Sequence, residues 1–347
     1  MNKKIWLAAI VIALSVITAL QAQNKELVIY TWEEMFPQEI LDGFERENPG
    51  LKIVYETFDY NENMLLMLQS TEASNCDLVI ADDYIIELVI ENGLARKLDK
   101  RSISNLPNVN PFYQHQFYDP NDEYTVPYGA GVQTIVYDPA KISQDIKGYS
   151  DLWNNSLGNS VGIIGNYRVM NGMALKTLGK SYNTEELADI RAAGVKLKAL
   201  APNIQAIEDT SLDEYLISGK LSAAVMYTDQ VMRARRQKPN LKVVFPKEGI
   251  GFGVMAAFIP ANAPNADAAH RFLNYILDAR RGARCFEELG YYCTYTASEQ
   301  YIKPELREFL ILPRFNNFEM IQNFVSQEAE DEHQRIWSEF MSAVGNK

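Results

Sequence analysis

The chain has 347 residues, 45 acidic against 33 basic side chains, and a net charge of −12, with three cysteines and three histidines. That charge argues against a nucleic-acid binder, whose partner asks for clustered Lys and Arg. The scattered His115, His270 and His333, with no CxxC pair, argue against a zinc centre or a histidine-centred triad, so no cofactor or metal is expected.

Residues 1–22 read as a secretory signal peptide. Lys3 and Lys4 give a positive start, Ile5 to Leu20 is apolar apart from Ser15 and Thr18, and Ala22 is a plausible cleavage edge. An uncleaved anchor is the alternative, although this apolar run is short for a span of ~20 residues. No cysteine lies near the cleavage edge, so a lipid-modified terminus is not supported. Cleavage would leave a net charge of −14 and no second long apolar run, which predicts a soluble exported chain placed in the periplasm. Its length suits about two domains.

Strand-like and helix-like segments then alternate, the mark of an α/β fold. Glu26–Trp32 reads as a strand, and Pro37 opens a helix running to Asn48. Strands follow at 52–57 and 76–81, with helices at 61–70 and 84–92, the last stopped by Gly93. Further on, strands are expected at 161–164, 222–227 and 242–245, and helices at 169–178, 185–200, 212–218, 229–237, 265–277 and about 327–344. Two longer extended runs, 124–137 and 249–260, break the rhythm and read as strands crossing between two lobes. The first lobe is then 23–132 plus 258–312, and the second 133–257 plus 313–347, with the C-terminal helix packed on it. Cys285 and Cys293 could pair in an oxidising compartment, or all three cysteines could be unpaired and buried.

Acidic residues collect where strands end and helices begin: Glu33 and Glu34, then Asp82 and Asp83. Ligands of open α/β sheets bind at the carboxyl ends of strands. Helix starts carry partial positive charge, so carboxylates there cancel it and turn the rim toward cations. Helix capping is the competing role, with Asp83 the better cap. Trp32 could pack in the core, but it ends its strand beside two acids, which favours a cleft role; Tyr227 ends another strand, followed by Asp229 as either cap or ligand. Of Tyr291 and Tyr292, one can face a given side if the segment is extended.

The order LVIYTWEEMFP, CDLVIADDY, DEYTVPYGAG, LKALAPNI, AAVMY, VVFPKEG, FIPANA, ELGYYCTY resembles the spermidine/putrescine-binding periplasmic proteins of ABC importers. The resemblance runs over essentially the whole mature chain. It implies a type II periplasmic-binding fold, with two discontinuous α/β lobes, a two-strand hinge and a cationic polyamine in the cleft between. It also implies a monomer that serves an ABC transporter permease in the inner membrane and is no enzyme. Carried over residue by residue, Trp32 matches the tryptophan that stacks on the polyamine, Glu34 the amine-binding glutamate, and Tyr84 a cleft tyrosine. Tyr227 matches an aromatic over the aliphatic chain, and Tyr291 a tyrosine after an ELGY-like turn. The family's acidic pair reads here as Gly165-Asn166-Tyr167-Arg168-Val169, and its return-strand tryptophan and aspartate as Gly253 and Met255. Acids appear elsewhere instead: Asp82 before Tyr84, Glu33 beside Glu34, and Asp209 where a serine often faces the cleft. Either the anionic sites have moved around the same amine, or the ligand is a different small solute, a zwitterion or metal complex. No GxSxG, P-loop or HExxH is present, and Gly251–Ala256 lacks the strand–turn–helix context of a dinucleotide fingerprint.

Overall fold

The computed structural model describes residues 26–70, 75–310, 317–322 and 325–345; the segment read as a signal peptide lies outside them. Among the described residues no helix is long and apolar enough to cross a membrane. In chain order the elements are β1 (Glu26–Thr31), α1 (Gln38–Glu47), β2 (Lys52–Thr57), α2 (Asn61–Gln69), β3 (Leu78–Asp82), α3 (Asp83–Glu91) and the long β4 (Thr125–Tyr137). Then come β5 (Val161–Ile163), α4 (Tyr167–Thr177), α5 (Leu187–Lys198), β6 (Ile204–Ile207), α6 (Leu212–Ile217), β7 (Ala223–Tyr227) and α7 (Thr228–Gln237). The last are β8 (Lys242–Val244), β9 (Ile250–Phe258), α8 (Ala266–Ile276), α9 (Ala279–Leu289), β10 (Tyr292–Cys293), β11 (Phe318–Met320) and α10 (Gln327–Gly345). The chain forms two compact units. The first holds the chain up to Tyr128, Met255–Cys285 and Tyr295–Ser298, and the second holds Gly129–Val254, Phe286–Thr294 and the chain from Glu299 on.

In the first unit the strands run in the order β2-β1-β3-β9, the first three parallel. β9 is antiparallel to β3, with Val79 opposite Phe258 and Asp82 opposite Met255. Leu27, Ile29, Leu78, Val79 and Ile80 are fully buried, as expected of parallel strands covered on both faces. α1 lays Ile40 and Phe44 inward; the Phe44 ring meets Phe272 of α8 at 5.0 Å, edge to face. Gly43 permits this approach, since a Cβ there would lie 2.2 Å from the Tyr275 hydroxyl. The buried Asp77 carboxylate accepts from the Val28 N–H (3.0 Å) and the Asn265 N–H (2.5 Å), tying β1 to the start of α8.

In the second unit β5 lies between β6 and β7, all parallel. β4 runs antiparallel to β7 and β8, and β11 pairs with the first half of β9. The C-terminal α10 packs on α5, with Ile190, Ala329 and Ile336 buried together. Gly194 allows the contact, because a Cβ there would sit 2.6 Å from an Ile336 methyl. β6, β10, β11 and α9 are absent from the sequence reading: the three strands are two to four residues long, and α9 is broken in pattern by Arg280, Arg281 and Arg284. All three cysteines are buried. No disulfide joins Cys285 and Cys293, and burial beside Tyr128 pushes the Cys285 thiol up to about 12.

Candidate functional site

The first unit gathers its candidate residues at the carboxyl ends of β1 and β3, which are parallel neighbours. After Thr31 the chain turns sharply: Trp32 is half-buried, Glu33 and Glu34 are exposed, and Met35 and Phe36 return to the core. Tyr55 clamps this turn, donating to the Trp32 carbonyl (2.7 Å) and accepting from the Met35 N–H (3.1 Å). Tyr128 adds a 2.6 Å bond to the Met35 carbonyl. The Trp32 indole rests against Phe58 at 5.1 Å, and Phe58 meets Tyr30 at 5.0 Å, so an aromatic row backs one side of the indole. Burial, with the charges of Glu33 and Glu34 nearby, pushes the Tyr55 phenol up to about 12. Glu34 holds φ of 57°, a left-handed conformation that a glutamate seldom adopts.

Asp82 occupies the N-cap position of α3, yet its side chain makes no cap bond. Its Oδ2 accepts instead from Asn61 Nδ2 at 2.9 Å, and the same amide reaches the Tyr84 hydroxyl at 3.1 Å. Tyr84 in turn donates to Glu62 Oε1 at 3.2 Å. Burial, aided by Glu62 and opposed by the Asn61 bond, pushes the Asp82 carboxyl up to about 6. Asp83, expected as the cap, is buried and accepts from the Tyr84 N–H at 2.7 Å, so it serves the helix start from the first helical position. Among the described residues Glu33, Glu34 and Asp82 form no ion pair.

The second unit places its candidates at the ends of β6 and β7. Asp209 accepts from the Gly165 N–H at 2.7 Å, joining the loops after β5 and β6. A Cβ at Gly165 would lie 2.8 Å from the Asp209 carboxylate, so a larger residue would push that side chain aside. Asp229 is ion-paired: Arg233, one turn on, binds it at 2.9 Å and binds the buried Asp213 at 2.8 Å. Burial raises the Asp229 carboxyl and the Arg233 charge works against that. Tyr227 ends β7 half-buried, opposite the buried Gln133 of β4, whose Oε1 has no donor among the described residues. Gly290, at φ 79°, seats its turn on α7, where a Cβ would meet the Asp229 Cα at 2.8 Å. Tyr291 follows half-buried while Tyr292 is fully buried in β10, which separates the two tyrosines.

Trp32, Glu33, Glu34, Asp82 and Tyr84 are thus brought to one rim of the first unit, and Asp209, Tyr227, Asp229 and Tyr291 lie in the second. Asn166, where an acid of the resembled pattern would stand, caps α4 by accepting from the Val169 N–H, and Val169 and Met255 are buried. Sequence reasoning missed Asn61, Tyr55 and Gln133. A signal for the first rim was present: between Lys52 and Arg96 the chain carries nine acidic residues and no Lys or Arg.

Residues 25–281 of this α/β chain match the bacterial extracellular solute-binding protein family, to which the chain belongs. It is a family of binding proteins, not of enzymes. The chain is 32% identical over 305 residues to the spermidine/putrescine-binding periplasmic protein of Salmonella typhimurium, covering 86% of each chain. It is 26% identical over 326 residues to the putrescine/cadaverine-binding protein of Pseudomonas aeruginosa, covering 90% of each. A solved spermidine/putrescine ABC transporter substrate-binding protein from Streptococcus pneumoniae, in complex with calcium and HEPES, superposes with a TM-score of 0.86 at 25% identity, over 92% of this chain and 99% of that one. The fold is the type II periplasmic-binding fold, and the resemblance read from the sequence holds.

Proposed function

We propose that the chain is the periplasmic receptor of an ABC importer, that it captures a polyamine of the putrescine or spermidine kind, and that it works as a monomer delivering to an inner-membrane permease. One observation carries this reading: Glu33, Glu34 and Asp82 stand without ion-pair partners among the described residues, at one rim with the half-buried Trp32 and Tyr84. A polyamine is an apolar chain studded with ammonium groups, so it asks for separated carboxylates and ring faces. An ammonium over an indole contributes ~0.5–2 kcal/mol, and each charge-assisted hydrogen bond ~1.5–3 kcal/mol. A few such contacts, less the cost of ordering the ligand, reach about micromolar affinity. In the second unit Tyr227 and Tyr291 are the aromatic candidates and Asp209 the acidic one. Asp229 is set aside as a ligand group because Arg233 already holds it.

Calorimetric titration with putrescine and spermidine tests the reading. Binding near micromolar is expected, with Trp32→Ala and Glu34→Gln each weakening it by ~1–3 kcal/mol. Absence of heat and of thermal stabilisation with both amines would reject it, and native mass spectrometry of freshly purified protein would then give the mass of the true ligand.

A further inference from the structure

The acid that the resembled pattern carries on the return strand is Met255 here, and Met255 is the cross-strand partner of Asp82 in the β3–β9 pair. Neighbours opposite each other on an antiparallel pair project to the same face. A carboxylate missing from β9 is therefore present one strand away, on β3.

We propose that Asn61 is the positioning residue of this relocated group: it holds the Asp82 carboxylate and the Tyr84 hydroxyl in one arrangement, so that Asp82 supplies the negative charge Met255 cannot. The inference rests on the amine-receptor reading above. Asn61 opens α2 but does not cap it, for no side-chain cap bond forms at that helix start. Its side chain, on a residue 6% exposed, turns instead to the end of β3. Oδ1 accepts from the Asp82 N–H at 3.4 Å, which fixes which way the amide faces. Nδ2 then supplies its two hydrogens to two acceptors, Asp82 Oδ2 at 2.9 Å and the Tyr84 hydroxyl at 3.1 Å. Tyr84, accepting there, passes its own proton toward Glu62 Oε1. Among the described residues no donor engages the other Asp82 oxygen, Oδ1, which is left for a guest.

The arrangement matters because the Asp82 charge is poorly supported by anything else. Glu62 of α2 repels it, Tyr84 of α3 is a neutral phenol, and β9 presents the thioether of Met255. With burial these hold the carboxyl up at about 6, and the Asn61 bond is the one contribution that lowers it. Removing that donor raises the carboxyl further, toward a neutral acid that offers an ammonium no counter-charge.

The test is putrescine calorimetry between about pH 5 and pH 8 on the intact protein and on Asn61→Ala, Asn61→Gln, Asp82→Asn and the Ala/Asn double variant. Wild-type affinity should fall as the pH drops through about 6. Asn61→Ala should weaken binding about tenfold at neutral pH and move that fall to higher pH, while Asn61→Gln restores part of both. In the Asp82→Asn background the Ala substitution should change neither affinity nor pH profile, because its effect passes through Asp82. An unmoved pH profile in Asn61→Ala, or an equal loss in both backgrounds, overturns the inference while leaving the amine reading intact. Should Asn61→Ala fail to fold, the isosteric Asn61→Asp carries the test: it replaces the donor by a second acid and must move the fall upward too. A wild-type protein that binds no amine overturns both.

Discussion

Glu34 illustrates how a single side chain can be kept in a costly conformation. At φ of 57° its Cβ crowds the following carbonyl, a cost of ~1 kcal/mol that glycine or asparagine largely escapes. The surrounding turn enforces it, since Tyr55 holds the backbone on both sides, at Trp32 and Met35. Replacing Glu34 with Asn should raise the thermal midpoint, by up to ~1 kcal/mol in stability, and at the same time weaken amine binding. A melting curve beside a titration would read both, and a variant that gains stability without losing affinity would detach Glu34 from the ligand. The aspartates show a related contrast. Asp82 and Asp229 look alike in sequence, each within two residues of the end of a strand. Arg233, one turn along the same helix, neutralises Asp229, whereas Asp82 meets an amide from a segment 21 residues away. The first relation could be read from i, i+4 spacing; the second could not, because it depends on which helix start the fold brings to the end of β3.

At the scale of elements, α4, α5 and α10 pack on one another, and α10 carries a buried histidine. His333 is fully buried and its Nδ1 lies 3.2 Å from the Asn171 amide, which also donates to the His333 carbonyl at 3.0 Å. Burial, together with the Arg168 charge, depresses the imidazole to about 3, against the opposing pull of Glu332. The folded protein thus keeps His333 neutral while the unfolded chain protonates it below its ordinary value of 6.5. Stability from this group is complete above that value and is lost as the pH falls from there toward 3, at roughly 1.4 kcal/mol per pH unit. His333→Leu should flatten the pH dependence of denaturant unfolding between pH 6.5 and pH 4.5, and an unchanged slope would mean the imidazole titrates normally in the fold. Most elements were legible to within a residue or two, because buried parallel strands are continuous apolar runs and because Pro37 and Gly93 mark helix ends. What escaped was the short β6, β10 and β11, the arginine-rich α9 and the inward role of Asn61. Local pattern is silent where a segment is brief, heavily charged, or defined by a partner far along the chain.

For the molecule as a whole, the decisive property is how its negative charge is distributed. The net charge of −12 is unremarkable by itself, but the first unit concentrates it: from Lys52 to Arg96 no base interrupts nine acids, and the rim of that unit adds Glu33 and Glu34. Such a field should steer a dication and be screened over a Debye length of ~10 Å at 0.1 M salt. The association rate of putrescine, followed by stopped-flow Trp fluorescence, should therefore drop severalfold between about 20 mM and 500 mM salt. A rate indifferent to salt would assign recognition to contact alone. The fold class was readable from the alternation of strands and helices, and the family from the order of its motifs, whereas the crowding of charge on one unit emerged once β1, β2 and β3 were seen side by side. That crowding carries a consequence for rejection as well as capture. A solute bearing a carboxylate next to its amine would lose most of its attraction at a distance, before any indole or phenol could inspect its shape, so discrimination among metabolites begins in the water outside the rim.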